Sequence, residues 1–359
     1  MSVNDPFKES LLRVAAGTPL SESEAYEATS AIMDGPVSEP RIAAFLTALK
    51  VRGETSDELT GAARAMRQRV VPIAHGYDRL LDTCGTGGDG THTFNVSTTV
   101  AFVCAAAGAK VAKHGNRAVS SSVGSADVLE ALGAAIGLTP VDVLRCIDTL
   151  NVGFMFAPRH HGALAHAAPV RRELGFRTMF NLLGPMTNPA AATHQLMGIF
   201  DGRRLNQVAE VLMRLGVRRA LVVHGPGGMD ELGLDGPSHA THLIDGRLHT
   251  MTIDPAPLGL SPASTADLKG GDAAFNATMI REVLAGRRAG AAADIVALNA
   301  GAALWVAELA ESLADGVALA RDILQRGTAL DVAQAFIDLT RTLADAYVSG
   351  APADGKAHR

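Results

Sequence analysis

The sequence predicts an α/β protein in which a small all-helical domain precedes a larger domain built on a mainly parallel sheet. Over residues 1 to about 70, apolar side chains recur at helical spacing and no strand pattern interrupts them. After about residue 78, short apolar runs alternate with glycine-rich turns and helical segments, which is typical of parallel strands joined by crossover helices. At roughly 150 residues per domain, the length of 359 residues suggests two domains, one large and one small.

Four segments make up the predicted helical domain: FKESLLRVAAG, SESEAYEATSAIMDG, SEPRIAAFLTALKVRG and TSDELTGAARAMRQR. Ser21 and Glu24 have the spacing of a capping box at the start of the second segment. Glycine is the usual residue just past a helix C-terminus. The glycines expected to end the first three helices are Gly17, Gly35 and Gly53. We expect residues 1–72 to form this domain and a segment near 163–186 to return to it. Dimerisation is the role expected of this domain.

The larger domain is expected over residues 77–162 and 187–348. Its predicted strands are RLLDTC, AKVA and RRALVVH, and a glycine-containing turn follows each. Ligands of such folds bind at the carboxyl ends of the strands. The last predicted elements are helices near residues 272–286, 291–310 and 330–347 and a disordered tail over 349–359.

The composition excludes several classes of protein. The net charge is -5, whereas a general nucleic-acid binder usually has a basic excess. The longest apolar run, over residues 100–109, is far shorter than the roughly 20 residues that a membrane span needs. The three cysteines show no CxxC spacing, so neither a disulfide framework nor a zinc site is predicted. We therefore expect a cytoplasmic protein with neither nucleic acid nor membrane as a partner.

A glycine loop, Gly-Thr-Gly-Gly-Asp-Gly, occupies residues 85–90 between a predicted strand and a helix predicted over 95–107. Such a loop presents free N–H groups at the positive end of the helix dipole, so it predicts an anion site. The same glycines satisfy the dinucleotide fingerprint. The stretch Lys110–His114, where that fingerprint requires a ribose-binding acid, is basic, which disfavours a dinucleotide. A simple tight turn is the alternative.

Two further predicted strand ends carry polar residues. The loop KHGNRAVSSSVGSAD follows the strand predicted over 109–112, and its cations and hydroxyls suit a highly charged phosphate. Its Ser125 can cap the next helix. The sequence GPGGM precedes Asp230 and Glu231, and adjacent carboxylates near a phosphate site favour Mg²⁺, with Ser97 as a further oxygen ligand. The alternatives are a solvated loop and two acids at a helix start.

The sequence leaves open the roles of several histidines and arginines in the middle of the chain. His160, His161 and His166 lack both the i, i+4 spacing of a helical metal pair and an accompanying acid, so packing or hydrogen bonding is the favoured interpretation. Arg171 and Arg172 lie in the segment APVRREL. One of them could face a substrate carboxylate bidentately, and a solvated helix face is the alternative.

The order of these motifs resembles the anthranilate phosphoribosyltransferase family. The resemblance rests on GTGGD with NVST, KHGNRAVSS with GSADVLEALG, VRRELGFRTMFNLLGPMTNPA, MDEL and the amino-terminal AAFLTALKVRGET, and it runs from about Phe7 to Tyr347. It implies the nucleoside phosphorylase and phosphoribosyltransferase class of fold and a homodimer formed through the helical domains. The implied reaction transfers 5-phosphoribose from phosphoribosyl diphosphate (PRPP) to the amine of anthranilate, giving N-(5-phosphoribosyl)anthranilate and diphosphate in tryptophan biosynthesis.

The resemblance also implies site residues, position by position. PRPP would be held by Gly85, Gly88, Asp89, Thr93, Asn95, Val96, Ser97, Thr98, Lys113, His114, Gly115, Asn116, Arg117, Ala118, Val119, Ser120, Ser121 and Ser125. Anthranilate would contact Gly85, Asn116 and Arg171. Two Mg²⁺ ions would be bound by Ser97, Asp230 and Glu231. The catalytic residues would be Lys113, which stabilises the departing diphosphate, and His114, which at most polarises or positions a substrate.

One part of the chain departs from the family's pattern. Gly162 replaces a proline that usually follows the histidine, and Ala163 and Leu164 also differ, which predicts a looser helix beside Arg171.

Two other functions stay as alternatives. A pyrimidine-nucleoside phosphorylase shares the fold but has a KHGGR-like loop, where this chain has Asn116. A non-catalytic nucleic-acid-binding relative is disfavoured by the acid pair and by the net charge of -5.

Overall fold

The computed structural model describes residues 5–118 and 123–349, with side chains as far as residue 347. The helices are α1 (Pro6–Ala15), α2 (Glu22–Asp34), α3 (Glu39–Arg52), α4 (Ser56–Gln68), α5 (Val96–Ala106), α6 (Ser125–Leu132), α7 (Pro140–Leu150), α8 (Ala157–His160), α9 (Ala168–Leu174), α10 (Met179–Met186), α11 (Leu205–Arg214), α12 (Ala273–Leu284), α13 (Ala291–Val306), α14 (Leu313–Arg326) and α15 (Thr328–Ser349). The strands are β1 (Leu81–Gly85), β2 (Val111–Gly115), β3 (Val152–Phe156), β4 (His194–Gly198), β5 (Arg219–His224), β6 (Ser238–Ile244) and β7 (Arg247–Ile253).

Some expectations fall at the limits of the described residues. Val119, Ser120 and Ser121, which the resemblance assigns to PRPP, lie outside them, and so do tail residues 350–359. Ser349, expected in the tail, is instead the last residue of α15. Within the described ranges, no helix combines the length and the apolar character needed to cross a membrane.

The four amino-terminal helices form where the sequence predicts them. The Ser21 hydroxyl accepts the Glu24 N–H, and the Glu24 carboxylate accepts the Ser21 N–H, so the capping box is confirmed. The three glycines expected to end these helices have left-handed φ values of 78°, 92° and 89° at Gly17, Gly35 and Gly53, respectively. Local signals therefore define the ends of these helices.

The sheet is mainly parallel, as predicted. Its strand order is β3-β2-β1-β4-β5-β6-β7, and the pairs among the first five of these are parallel. The hairpin formed by β6 and β7 adds two antiparallel strands at one edge. The chain runs outward from β1 to β2 and β3 on one side and returns as β4 on the other. The carboxyl ends of β1 and β4 therefore flank the topological switch point, where ligands of open α/β sheets bind.

Two apolar cores cover the two faces of the sheet. In β4 and β5, Leu196 and Leu221 contribute to a core completed by α5, α12, α13 and α14. Their neighbours Met197 and Val222 point to the opposite face, because side chains alternate along a strand. That face shares one continuous core with α1–α4, α9, α10 and α11. The helical domain is thus packed directly onto one side of the sheet.

The second strand lies later in the chain than predicted. The sequence indicated a strand over 109–112, but β2 continues to Gly115, so Lys113 and His114 belong to a strand rather than to a flexible loop. The reason is the ladder to β3, in which Lys113 pairs with Phe154 and Gly115 with Phe156. Pairing with a distant strand sets this boundary, and the local pattern does not contain it.

The predicted cap at Ser125 is wrong. The helix α6 begins at Ser125 itself and Gly124 is its N-cap residue. The carboxylate of Asp127 accepts hydrogen bonds from the main-chain N–H groups of Gly124 and Ala118, both at 2.9 Å. These bonds cap the start of the helix. The Ser125 hydroxyl donates instead to the Asn116 carbonyl at 3.3 Å.

The segment near 163–186, which we expect to return to the helical domain, contains several short helices and no single long one. Residues Gly162–His166 form a 3₁₀ helix, α9 follows, and Gly175 ends it with a φ of 65°. The helix α9 packs on α3, and α10 packs on α3 and α4. This segment of the chain therefore lies against the amino-terminal helices.

Arg67 connects three helices, and its removal should weaken the fold. Its guanidinium donates to the carbonyls of Met186, at the end of α10, and Leu215, just after α11, at 2.8 and 2.7 Å. Replacing Arg67 with Met leaves both helix ends without these donors, so we expect a loss of about 1.5–3 kcal/mol in the free energy of unfolding. Chemical denaturation measures it. The control is Arg64→Met on the same helix, because the Arg64 side chain is half exposed. Equal losses in the two variants would contradict the prediction.

Candidate active site

A cleft of about 340 Å³ lies at the carboxyl ends of β1 and β2, beside the switch point. The glycine loop and the start of α5 form one wall, and α9 and α10 contribute another. The predicted site residues that line it are Gly85, Gly88, Asp89, Thr93, Asn95, Ser97, Thr98, Lys113, His114, Gly115, Asn116, Arg117, Ser125, Arg171, Asp230 and Glu231. Val96 and Ala118 are not part of the lining, and the Val96 side chain is buried in the core.

The acid pair lies in a loop after β5 and not at the start of a helix. A 3₁₀ turn over Pro226–Gly228 leads into it. The Gly87 N–H donates to Asp230 Oδ2 at 2.6 Å, and the Asp230 N–H donates to Asp89 Oδ2 at 3.4 Å. These contacts tie the acid loop to the glycine loop, so two polar segments that are far apart in the sequence share one site.

Glycine at two strand ends makes this contact possible. A Cβ atom on Gly85 would lie 2.3 Å from Asp230 Oδ2, and one on Gly198 would lie 1.4 Å from the Asp230 carbonyl oxygen. A side chain at Gly198 would displace the main chain of the acid loop, and one at Gly85 would displace the Asp230 carboxylate. The last residues of β1 and β4 are therefore glycines because the acid loop crosses directly over them.

Three carboxyl groups, those of Asp89, Asp230 and Glu231, line the cleft close to one another. Burial raises the pKa of Asp230, and the charge of Asp89 raises it further. Burial also raises the pKa of Glu231, as does the charge of Asp230. Glu231 Oε2 is buried and has no hydrogen-bond partner among the described residues. An unpartnered buried carboxylate oxygen costs free energy, so the site is suited to a cation.

The donors present fit Mg²⁺ rather than a softer metal. They are carboxylate oxygens and the Ser97 hydroxyl, and Mg²⁺ prefers oxygen ligands. In the part of the chain that the structure describes, no three His, Cys, Asp or Glu side chains have the mutual spacing of a complete metal site. An ion here would need oxygens from a ligand as well, which is how Mg²⁺ commonly binds together with substrate phosphates.

Lys113 is buried beside the acids, with 3% of its surface exposed. Its Nζ donates to the Thr83 carbonyl at 2.6 Å and to Ser97 Oγ at 3.3 Å. Burial lowers the pKa of Lys113, whereas the nearby carboxylates of Asp82 and Glu231 act in the opposite direction. The strand β2 thus holds a rigid cation at the floor of the cleft.

Asp82 and Asn188 form a buried network that sequence reasoning missed. Asp82 Oδ1 accepts the His114 N–H at 3.2 Å, and Asp82 Oδ2 accepts from Asn188 Nδ2 at 2.7 Å. Asn188 also donates to the Ala112 carbonyl at 2.9 Å. The network joins β1, β2 and the segment that follows α10, and so it positions the strand that carries Lys113 and His114.

His161 lies against His114 in the wall of the cleft, with the two ring centroids 5.0 Å apart. Among the described residues, neither His161 nitrogen has a hydrogen-bond partner, nor has His114 Nε2. Burial lowers the pKa of His161 to about 4 and that of His114 well below its ordinary value. Both rings are therefore neutral at pH 7. His160, by contrast, bonds to the Val71 carbonyl at 2.8 Å, as the hydrogen-bonding interpretation expected.

Arg171, not Arg172, reaches the cleft. Its guanidinium lies 5.5 Å from the centroid of the Phe180 ring, and within the described ranges no carboxylate pairs with it. Burial lowers the pKa of Arg171, yet the group stays charged at pH 7. A partly buried guanidinium without a carboxylate is ready to bind one from a ligand. Arg172 is exposed.

Arg117 lines the cleft, but its charge faces elsewhere. Its guanidinium donates to both carboxylate oxygens of Glu130, at 2.5 and 2.9 Å, and to Asp127 at 3.1 Å. It also lies 5.6 Å from the centroid of the Phe156 ring. The PRPP role that the resemblance implies for Arg117 stays a prediction.

Several lining residues had no assigned role. They include Met66, Leu164, Phe180, Gly184, Pro185 and the already described His161. Three of them lie in the segment MFNLLGPM, which is part of a motif that carries the resemblance. That motif was the one sequence signal that these residues belong to a site. Helical periodicity treats such residues as core, because an apolar cleft wall and an apolar core have the same composition.

Comparisons with known proteins point to one family. A glycosyl transferase family matches in two parts, its helical bundle domain over residues 8–70 and its a/b domain over residues 77–330. The anthranilate phosphoribosyltransferase of Rubrobacter xylanophilus is 51% identical over 338 residues, which cover 94% of this chain and 98% of that protein.

Solved structures give the same result. The crystal structure of the anthranilate phosphoribosyltransferase of Thermus thermophilus has a TM-score of 0.88 at 45% identity and covers 92% of this chain and 99% of its own. The enzyme of Saccharomyces cerevisiae, in complex with PRPP and Mg, has a TM-score of 0.86 at 24% identity over 94% of this chain and 98% of its own. In complex with 4-fluoroanthranilate its TM-score is 0.84, also at 24% identity, over 94% of this chain and 97% of its own. At 24% identity the likeness concerns the fold.

The Asp82 carboxyl should make stability depend on pH. Burial raises its pKa from 3.8 to about 6, so its protonated form stabilises the fold below its unfolded pKa and this contribution is lost as the pH rises through 6. Asp82→Asn removes the titration. We expect the substitution to destabilise the protein more at about pH 4.5 than at about pH 7.5, by roughly 2 kcal/mol. Urea unfolding at both pH values measures the difference. An equal effect at both would mean that Asp82 does not titrate in this range.

Proposed function

This chain belongs to the anthranilate phosphoribosyltransferase family, and from that premise we propose how its residues transfer 5-phosphoribose from PRPP to the amine of anthranilate. The products are N-(5-phosphoribosyl)anthranilate and diphosphate, in tryptophan biosynthesis. One observation carries the proposal: a single cleft combines an anion loop, an acid pair and, on another wall, an arginine without a carboxylate partner. The comparisons do not support a nucleoside phosphorylase or a nucleic-acid-binding relative.

PRPP is held along the glycine loop and the start of α5. The N-terminus of α5 presents main-chain N–H groups and its positive dipole end to the phosphates. Buried Thr98 Oγ1 has no hydrogen-bond partner among the described residues, which supports its assignment to the ligand. The remaining PRPP residues implied by the resemblance, including the segment over 113–121 and Ser125, complete the site.

Mg²⁺ binds at the acid pair together with the diphosphate of PRPP. Ser97 and Glu231 hold one ion, and Asp230 with Glu231 holds a second. The buried, unpartnered Glu231 Oε2 supports this, as does the complex of the yeast enzyme with PRPP and Mg. When bound, Mg²⁺ supplies positive charge that stabilises the diphosphate as it departs. Lys113 adds a fixed charge beside the same group, which needs no reorganisation during the reaction.

Anthranilate binds between the glycine loop and the wall formed by α9 and α10. Arg171 pairs with its carboxylate, and Asn116 and the main chain at Gly85 position its ring. The aromatic amine is neutral at pH 7 and needs no strong base, so the neutral His114 acts at most by polarising or orienting a substrate. Most of the remaining rate enhancement comes from the alignment of the two substrates.

The proposal extends to assembly and location. Residues 1–72 with 163–186 make up the helical domain, which pairs with a second copy to form a homodimer. Val51 on α3 is 83% exposed and Leu12 on α1 is 60% exposed, and such apolar side chains support an interface there. The three cysteines are free and buried, which suits the reducing cytoplasm.

The test of the function is direct. The protein is mixed with anthranilate, PRPP and Mg²⁺, and the loss of anthranilate fluorescence is followed. We expect turnover that requires all three components. Phosphorolysis of uridine or thymidine in place of this turnover would contradict the proposal.

Replacing both acids of the pair with alanine should abolish Mg²⁺-dependent turnover, because their carboxylates would hold the ions. The initial rate is measured over a range of Mg²⁺ concentrations. The control is Asp235→Ala, an acid of the same stretch that does not line the cleft. If the double variant kept the activity and Mg²⁺ dependence of the unchanged protein, Asp230 and Glu231 would not be ligands.

Removing the Arg171 guanidinium should affect one substrate more than the other. Arg171→Ala loses the pair with the anthranilate carboxylate, so we expect the KM for anthranilate to rise by about 10-fold or more and the KM for PRPP to change little. The neighbouring, exposed Arg172→Ala is the control and should behave as the unchanged protein. Equal rises in both KM values for Arg171→Ala would count against the assignment.

A further inference from the structure

Asn299 is a buried polar side chain on α13 that the proposed function does not use. It is 3% exposed and makes three hydrogen bonds. Its Oδ1 accepts the Leu232 N–H at 3.0 Å, and its Nδ2 donates to the Leu232 carbonyl at 2.9 Å and to the Ile295 carbonyl at 2.9 Å. One planar amide therefore satisfies both main-chain groups of the residue that directly follows Glu231.

This pairing fixes the acid loop to a rigid element. The helix α13 is buried along most of its length and packs against α5, α14 and the sheet. The bond from Asn299 to the Ile295 carbonyl, one turn earlier, holds the side chain in a single orientation. A loop whose N–H and C=O groups both bind this amide has little freedom to shift relative to α13.

The strand ends hold the loop from the opposite direction. A Cβ atom on Gly225 would lie 2.3 Å from the Glu231 carbonyl oxygen, and one on Gly198 would overlap the Asp230 carbonyl. A small cavity of about 20 Å³ is lined by Ser97, Asp230, Glu231 and Asn299, among others. Asn299 thus lies beside the acid pair but does not line the cleft.

We infer that Asn299 is a positioning residue for the acid pair. By binding the main chain at Leu232, it holds the carboxylates of Asp230 and Glu231 in the orientation in which they bind a divalent cation. The inference rests on the proposed function, which assigns that cation to the acid pair. Groups that orient metal ligands typically contribute about 10- to 100-fold to metal affinity.

The test measures cation binding directly. Mn²⁺ replaces Mg²⁺ as a probe, and the free Mn²⁺ signal in electron paramagnetic resonance is titrated with full-length protein in the presence of PRPP. Asn299→Leu keeps about the same side-chain size and removes all three hydrogen bonds. We expect its Kd for Mn²⁺ to rise about 10- to 100-fold, and its KM for PRPP to rise at low Mg²⁺ while the KM for anthranilate changes little.

Two further variants separate positioning from simple stability. Thr340→Val removes a buried side-chain bond to the Ala135 N–H, and neither residue lines the cleft, so it should lower stability without changing the Kd for Mn²⁺. Asn299→Ser can still bond to the Ile295 carbonyl but cannot reach Leu232 as the amide does, so it too should weaken Mn²⁺ binding. If Asn299→Leu does not fold, the Kd for Mn²⁺ is measured on Asn299→Ser instead.

Unchanged Mn²⁺ binding in a folded Asn299 variant would overturn the inference, even if its thermal stability fell. A loss of Mn²⁺ affinity of the same size in Thr340→Val would overturn it as well, because the effect would then follow stability alone. Failure of the unchanged protein to bind Mn²⁺ with PRPP would overturn the proposed metal site, and the inference with it.

Discussion

The site depends on one close approach, that of the acid loop to the carboxyl ends of β1 and β4. The two strands end in Gly85 and Gly198. The Asp230 carboxylate lies where a side chain at Gly85 would be, and the Asp230 main chain lies where one at Gly198 would be. Because these strands flank the switch point, the same contact brings the glycine loop, the floor of the cleft and the acid pair together. Without these two glycines the acid loop would lie farther from the glycine loop.

The charges at this point are unfavourable in the free protein. Asp230 and Glu231 have raised pKa values, chiefly because they are buried, and Lys113 has a lowered one for the same reason. A buried charge is tolerated when it is paired or hydrogen-bonded. Among the residues that the structure describes, Lys113 meets this requirement, whereas Glu231 Oε2 does not. The fold therefore holds in place an arrangement that a cation and a polyanionic ligand would stabilise.

Sequence reasoning succeeded where the signals were local. The helix ends at glycines and the capping box at Ser21 can be recognised from a few neighbouring residues. The glycine loop can be recognised from the six residues 85–90 alone. It failed where distant segments decide the structure. The extension of β2 to Gly115 follows from pairing with β3, and the helix α14 and the β6–β7 hairpin were not predicted at all. Asp82 and Asn299 have no sequence signature, because each acts through main-chain groups of other elements.

The shared core has a consequence for how the chain is made. Phe45 and Leu59, from the first four helices, belong to the same core as Val208 and Val222, which are synthesised roughly 150 residues later. During translation at about 5–20 residues per second, the amino-terminal helices emerge from the ribosome many seconds before the surfaces that cover them exist. Their apolar faces are exposed during this interval. The segment that looks most like an independent domain in the sequence thus completes its core only after roughly 150 further residues have been synthesised.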